Sequence, residues 1–247
     1  MIRIRSMSTR KREQASYETT SVFVLNMSAV EVESAHRPES FRGSLVIPQG
    51  KDSFTDRLDL ENIFGRKAPL HVDLGCGDGS FICALAQRVP AKNFLGIERL
   101  LGRIRSAARK AAGLPNVRLL RMESSYAVRY LLPAESVETF YLLFPDPWPK
   151  RRHWRRRIVT GDFLCAISQA LAENGKLLIA TDHVDYFEKI METARGNPNL
   201  AVGEPADVDP FDLRSGQVRP LTKFERKFRA QSIPIHWLAL RKVLPGR

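Results

Sequence analysis

At 247 residues, 43% of them apolar, the chain is long enough for one substantial domain with a real core. No apolar run approaches the roughly 20 residues that a membrane-spanning helix needs, so a soluble protein is expected. The 39 Lys+Arg against 27 Asp+Glu give a formal charge of +12, which favours a polyanionic partner. Three cysteines (Cys76, Cys83 and Cys165) are odd in number and lack paired metal-ligand spacing, so a cytoplasmic, reducing setting and no metal are expected.

Residues 1–54 are rich in Ser, Thr, Arg and Glu without sustained periodicity, and read as a basic, largely disordered extension with a short strand candidate at Val22–Leu25. A domain is expected over 55–247. It opens with a short helix at Leu58–Phe64 closed by Gly65, followed by the apolar strand Leu70–Leu74 and the glycine-rich Gly75–Gly79. Helical periodicity over Ser80–Val89, a strand at Phe94–Ile97 and a basic amphipathic helix at Leu101–Ala112 come next. Strands are then expected at Val117–Leu120, Val137–Phe144 and Lys176–Ala180, with helices at Gly161–Ala172 and His183–Ala194 and a last strand over Ile235–Val243. Strands separated by helices of 10–15 residues imply an α/β, doubly wound, mostly parallel sheet.

In such a sheet, ligands sit at the carboxyl ends of the strands. The loop Asp73-Leu-Gly-Cys-Gly-Asp-Gly79 is spaced G-x-G-x-G, and its two carboxylates would repel a pyrophosphate. A cationic nucleoside suits that field, and S-adenosylmethionine carries both a sulfonium and an ammonium. Glu98 ends the next strand, where an acid accepts from the hydroxyls of a ribose. Glu123 follows the third strand, Asp146 the fourth and Asp182 the fifth, so acids follow five strands that converge on one crevice.

The fourth strand runs into Phe144-Pro-Asp-Pro-Trp-Pro-Lys-Arg-Arg-His-Trp-Arg-Arg-Arg157, with six basic side chains within the eight residues from Lys150. Prolines at 145, 147 and 149 stiffen the backbone, and Trp148 and Trp154 interleave with cations as on a nucleic-acid-binding surface. The front of this stretch reads as the floor of a reaction site and its back as a handle on a polyanion.

Together these residues closely resemble the bacterial tRNA (guanine-N7)-methyltransferase family. The likeness is carried by Val72-Asp-Leu-Gly-Cys-Gly77, Phe94-Leu-Gly-Ile-Glu98, the Phe144–His153 string, Arg156-Arg157, Ala180-Thr-Asp182 and Thr222-Lys-Phe-Glu225, and it covers roughly 58–245. The resemblance implies a Rossmann-like class I methyltransferase domain with an antiparallel C-terminal strand. It implies methyl transfer from S-adenosyl-L-methionine to N7 of a guanine (variable-loop position 46) in tRNA; whether a monomer or a homodimer acts is left open by the sequence. Cofactor contacts are then expected at Asp73, Gly75, Gly77, Glu98, Glu123 and Asp146, with Asp146 also catalytic. Substrate contacts are expected at Lys150, Asp182, Thr222, Lys223, Phe224 and Glu225. The family commonly has Glu at position 73 and Asp or Asn at 123. The alternatives are another RNA methyltransferase of the same fold, or a non-catalytic basic RNA-binding protein.

Overall fold

The three apolar runs of the first half become strands buried at every residue, as strands covered on both faces must be. A computed structural model describes residues 57–203 and 219–243; the extension expected over 1–54 lies outside them. The chain enters through α1 (Leu60–Phe64), capped by the Asp59 carboxylate and stopped by Gly65. It continues through β1 (Leu70–Leu74), α2 (Ser80–Arg88), β2 (Asn93–Ile97), α3 (Leu101–Ala111) and β3 (Val117–Leu120). A short α4 (Ser124–Tyr126) runs directly into π-helical Ala127–Leu131. Then follow β4 (Val137–Leu143), a 3-10 turn at Arg151–Arg156, α5 (Gly161–Ala170), β5 (Leu171–Thr181), α6 (Val184–Arg195), β6 (Leu200–Val202), α7 (Lys223–Ala230) and β7 (His236–Lys242).

All seven strands form one sheet in the order β3-β2-β1-β4-β5-β7-β6. The first five in that order are parallel, whereas β7 is antiparallel to both its neighbours. The expected mostly parallel sheet with an antiparallel C-terminal strand is therefore present. One face packs on α2 and α3 through Ile82, Leu85, Ile104 and Ala107. The other packs on α1, the π-helical turn, α5 and α6 through Phe64, Leu131, Phe163 and Ile190. Strand order reverses between β1 and β4, and this is where a doubly wound sheet opens its ligand crevice.

Four segments depart from the expected plan. β5 starts at Leu171, which pairs with Val137, before the register shifts so that Lys176 faces Thr139. The shift is made by Asn174 at φ 60° and by Gly175, where an added Cβ would lie 2.9 Å from the Ala172 carbonyl. β6 escaped the sequence reading because only Leu200 of its three residues is buried; β7 defines it rather than its own pattern. The turns at 124–131 and 151–156 are too short to show a helical period.

Candidate active site

The loop after β1 turns on Gly75, Gly77 and Gly79, all at positive φ. Gly79 has a second reason to lack a side chain: its Cβ would stand 2.8 Å from the Cβ of Ala107, so α3 closes directly against the start of α2. The Gly75 and Cys76 amides both donate to the Ile97 carbonyl at 2.9 Å, which ties the loop to the end of β2.

Two acids lie under this loop. Asp73, 4% exposed, has no ion-pair partner among the described residues. Burial, and second the nearby Glu98, push its carboxyl up to about 7. Glu98, also buried, accepts from the Leu100 amide at 2.8 Å, and the nearest cation, Arg103, is 3.8 Å away. The cradle thus holds more negative charge than the chain compensates, an arrangement that favours a cationic ligand. Glu123 is already engaged as the cap of α4, accepting from the Ser125 and Tyr126 amides at 3.0 and 2.7 Å.

Asp78 behaves differently from the expectation that both loop acids contribute to the cradle's field. Its carboxylate is bonded by both Lys110 and Lys223 and also accepts from the Ser80 amide. Partial burial pushes this carboxyl up, but the bonds from Lys110, Lys223 and Ser80 outweigh it and hold the group well below the usual carboxylate range. Its charge is spent on the two lysines, not on a ligand.

Across the crevice, β4 leads into the proline-rich arm. Phe144 and Trp148 both adopt positive φ (57° and 43°) and each precedes a proline, a conformation that costs about 1–3 kcal/mol per residue. The surroundings hold both. The Phe144 amide donates to Ala180 O at 2.7 Å and its ring packs on Phe224 and Phe228. Trp148 lies under Arg156, 5.0 Å away, and edge-on to His153. Asp146 between them is exposed, with no hydrogen-bond or ion-pair partner among the described residues. Asp182 is half-buried at the end of the adjacent β5, so the two arise side by side.

The handle itself needs one correction. Lys150, Arg151, Arg152, Arg155 and Arg156 are exposed, but Arg157 is buried. It donates from Nε to the Pro147 carbonyl at 2.8 Å and stacks between Trp154 and Tyr186. The last arginine of the run therefore ties the end of the arm back to its beginning. Trp154, 42% exposed, sits between Arg151 and Arg157.

The Thr222–Glu225 segment forms the start of α7. Thr222 caps the helix by accepting from the Glu225 amide at 2.9 Å. Glu225, fully buried, takes a two-point bond from Arg219 at 2.9 and 2.8 Å and a third from Arg229 at 2.8 Å. Neither group points free into the crevice; both build the helix. Arg219 in turn stacks 4.4 Å over Trp237 of β7. Phe224 is 50% exposed and remains presented to solvent beside Phe144. The sequence reading overlooked Arg219 and Lys110; only the position of Lys223 in a motif hinted at the ion pairs that fix α7.

Comparison with known proteins decides the family. The family model described as "Putative methyltransferase" matches residues 67–238. A tRNA (guanine-N(7)-)-methyltransferase of Leifsonia xyli is 40% identical over 182 residues, covering 72% of this chain and 78% of the relative. A protein of the same name from Halorhodospira halophila is 36% identical over 74% of this chain and 79% of its own. The chain belongs to the tRNA (guanine-N(7)-)-methyltransferase family. Another family relative, from Thermotoga maritima, is 36% identical, and the chain spans 59% of its length. Among solved structures, the antibiotic-resistance methyltransferase Kmr superposes with a TM-score of 0.53 at 18% identity, covering 76% of this chain and 93% of that one, which shows the shared methyltransferase fold.

The methyl donor of this methyltransferase family is S-adenosylmethionine, and the residues present fit it. Asp73 is buried without a counter-cation, and the Leu100 amide occupies only one of the Glu98 oxygens, features that suit a ligand carrying a sulfonium, an ammonium and ribose hydroxyls. The backbone turned by Gly75 and Gly77 leaves open space where side chains would stand, since a Cβ there meets nothing within 4 Å. Among the described residues, no group of His, Cys, Asp and Glu is placed to hold a metal ion, and no helix is long and apolar enough to cross a membrane.

Proposed function

We propose that this chain methylates N7 of a guanine in tRNA, at variable-loop position 46, with S-adenosylmethionine as donor. One observation carries the reading: a buried, under-compensated acid cradle and a stiff arm that displays Asp146 ahead of a cationic turn leave the carboxyl ends of β1 and β4, neighbours at the switch point of the sheet. The names of the curated relatives support the atom and the substrate. When bound, S-adenosylmethionine supplies an electrophilic methyl group on a sulfonium.

Guanine N7 has an in-plane lone pair and no proton to lose, so no side chain need act as a base. Asp73, Gly75, Gly77, Glu98 and Asp146 hold the donor, Glu123 caps the helix at the border of that site, and the arm holds the guanine in line with the donor, which makes proximity the main catalytic term. The purine gains a positive charge as the new bond forms. Asp146 either stabilises that charge or accepts from the N–H edge of the base, and Asp182 on the neighbouring strand is the second candidate for the role. Lys150 and the exposed arginines after it hold phosphates, which position the RNA without reading its sequence. Thr222, Lys223 and Glu225 shape the α7 wall on which Phe224 is presented to the base.

The test is incubation of the protein with labelled S-adenosylmethionine and bulk tRNA, followed by nuclease mapping. Label on N7 of guanine 46 is the expected result. Label on another atom or another guanine overturns the assignment.

A further inference from the structure

Asp78 and Lys223 lie 145 positions apart in the chain, yet their side chains bond. The carboxylate that receives Lys223 of α7 also receives Lys110 of α3, and Lys110 donates further to the Asp78 carbonyl at 2.9 Å and to Ser80 Oγ at 2.8 Å. Asp78 belongs to the glycine loop, and α7 carries Phe224 and Phe228 against Phe144 at the root of the proline-rich arm. α7 is therefore fastened at three places. Arg219 and the buried Glu225 tie it to β7, its two phenylalanines to the arm, and Lys223 to the loop under the cofactor. The third fastening is the only one of these that reaches the cofactor loop.

The loop needs no acid at 78 for its own turn. The three glycines supply the positive φ values, and the acceptor for the Ser80 amide is one that an asparagine side chain equally provides. What an asparagine does not supply is the charge that holds two ammonium groups. The ion pair sits at the rim, with the Lys223 side chain 65% exposed, so its geometry and not its strength is what matters.

Building on the proposed tRNA guanine-N7 activity, we infer that the Asp78–Lys223 pair is a positioning clasp that sets α7, and with it Phe224, at the distance from the cofactor loop that the guanine requires. Lys223 acts through Asp78, not on an RNA phosphate, and Asp78 acts on α7, not on the cofactor. Neither is a catalytic residue.

A double-mutant cycle tests this with Asp78→Asn, Lys223→Met and the pair together, measuring kcat and KM for tRNA and the dissociation constant of S-adenosylmethionine. Each single variant is expected to lower kcat/KM for tRNA by about threefold to tenfold, toward the lower end of the range for coupled neighbours because the pair is solvent-exposed. The double variant should lose no more than either alone, the cofactor constant should stay within about twofold, and Lys223→Arg should restore most of the loss. Losses that multiply in the double variant overturn the clasp. So does an Asp78→Asn protein with wild-type tRNA kinetics, which would make Lys223 a direct phosphate contact. Hydrogen exchange in 223–230 reads the clasp without activity. Both single variants should speed it, and unchanged exchange overturns the inference. A wild-type protein that leaves tRNA unmethylated fails the activity reading alone, and the exchange experiment still decides the clasp.

Discussion

The two sides of the crevice solve opposite electrostatic problems. On the β1–β2 side, Asp73 and Glu98 are buried beneath a glycine loop with little counter-charge, so a cationic ligand completes a site that is costly without it. On the β4 side, five cations stand in water on an arm whose backbone is held in uncommon conformations by stacking. Under the proposed function the first side would select its ligand through a few desolvated groups, and the second would hold RNA by summing many contacts that are individually weak. A single change should therefore be severe in the cradle or at Asp146 and mild along the cationic turn.

The sharpest test of that contrast is Asp146→Ala. It should reduce kcat by about 10²–10³, the loss typical of removing a charge-stabilising group, with tRNA retention on a filter largely intact. Loss of retention with normal turnover would reverse the roles given to the two sides. Gly79→Ala follows, because the new methyl group meets Ala107 at 2.8 Å in a left-handed backbone. Chemical denaturation should show a stability loss of about 2–4 kcal/mol.

The next effect concerns pH. The folded-state value of Asp73 lies above that of an ordinary carboxyl, so its ionisation opposes folding. Its contribution to stability is present below about pH 4 and is lost as the pH rises through about 7 in the cofactor-free protein. A cationic ligand reverses that preference. S-adenosylmethionine affinity should rise with pH toward about 7, at most about tenfold per unit, and Asp73→Asn should flatten the calorimetric profile. The smallest effects belong to the turn. Arg152→Gln or Arg155→Gln should each reduce the salt slope of tRNA binding by about one, with unchanged melting. Arg157→Gln should instead lower the melting temperature, since that side chain closes the arm on Pro147.

Much of this was legible in the chain itself. Strands buried on both faces announce themselves as short, mostly apolar segments, so β1 to β4 and the acids that follow them were readable from the sequence pattern. Pairing between distant residues was not. Nothing in the local pattern distinguishes Asp78, bonded to two lysines, from Asp73, which has none, because the difference is set by where α3 and α7 pack. Arg157 likewise looks like its neighbours in sequence, yet Tyr186 and Trp154 enclose it. Glu225 reads as an exposed helix acid until Arg219, six residues earlier, is seen to meet it away from water.

The place of β7 in the sheet has a consequence for synthesis. Among the described residues Leu200–Val202 pairs only with His236–Lys242, and α7 lies between those strands in the chain. While the polypeptide emerges from the ribosome, β6 has no neighbour to join and α7 no Trp237 for Arg219 to stack on. The parallel strands and the glycine loop are made well before α7 and β7. A nascent chain thus carries its basic arm before α7 is fastened, because the Arg219–Trp237 contact forms only after β7 has been made.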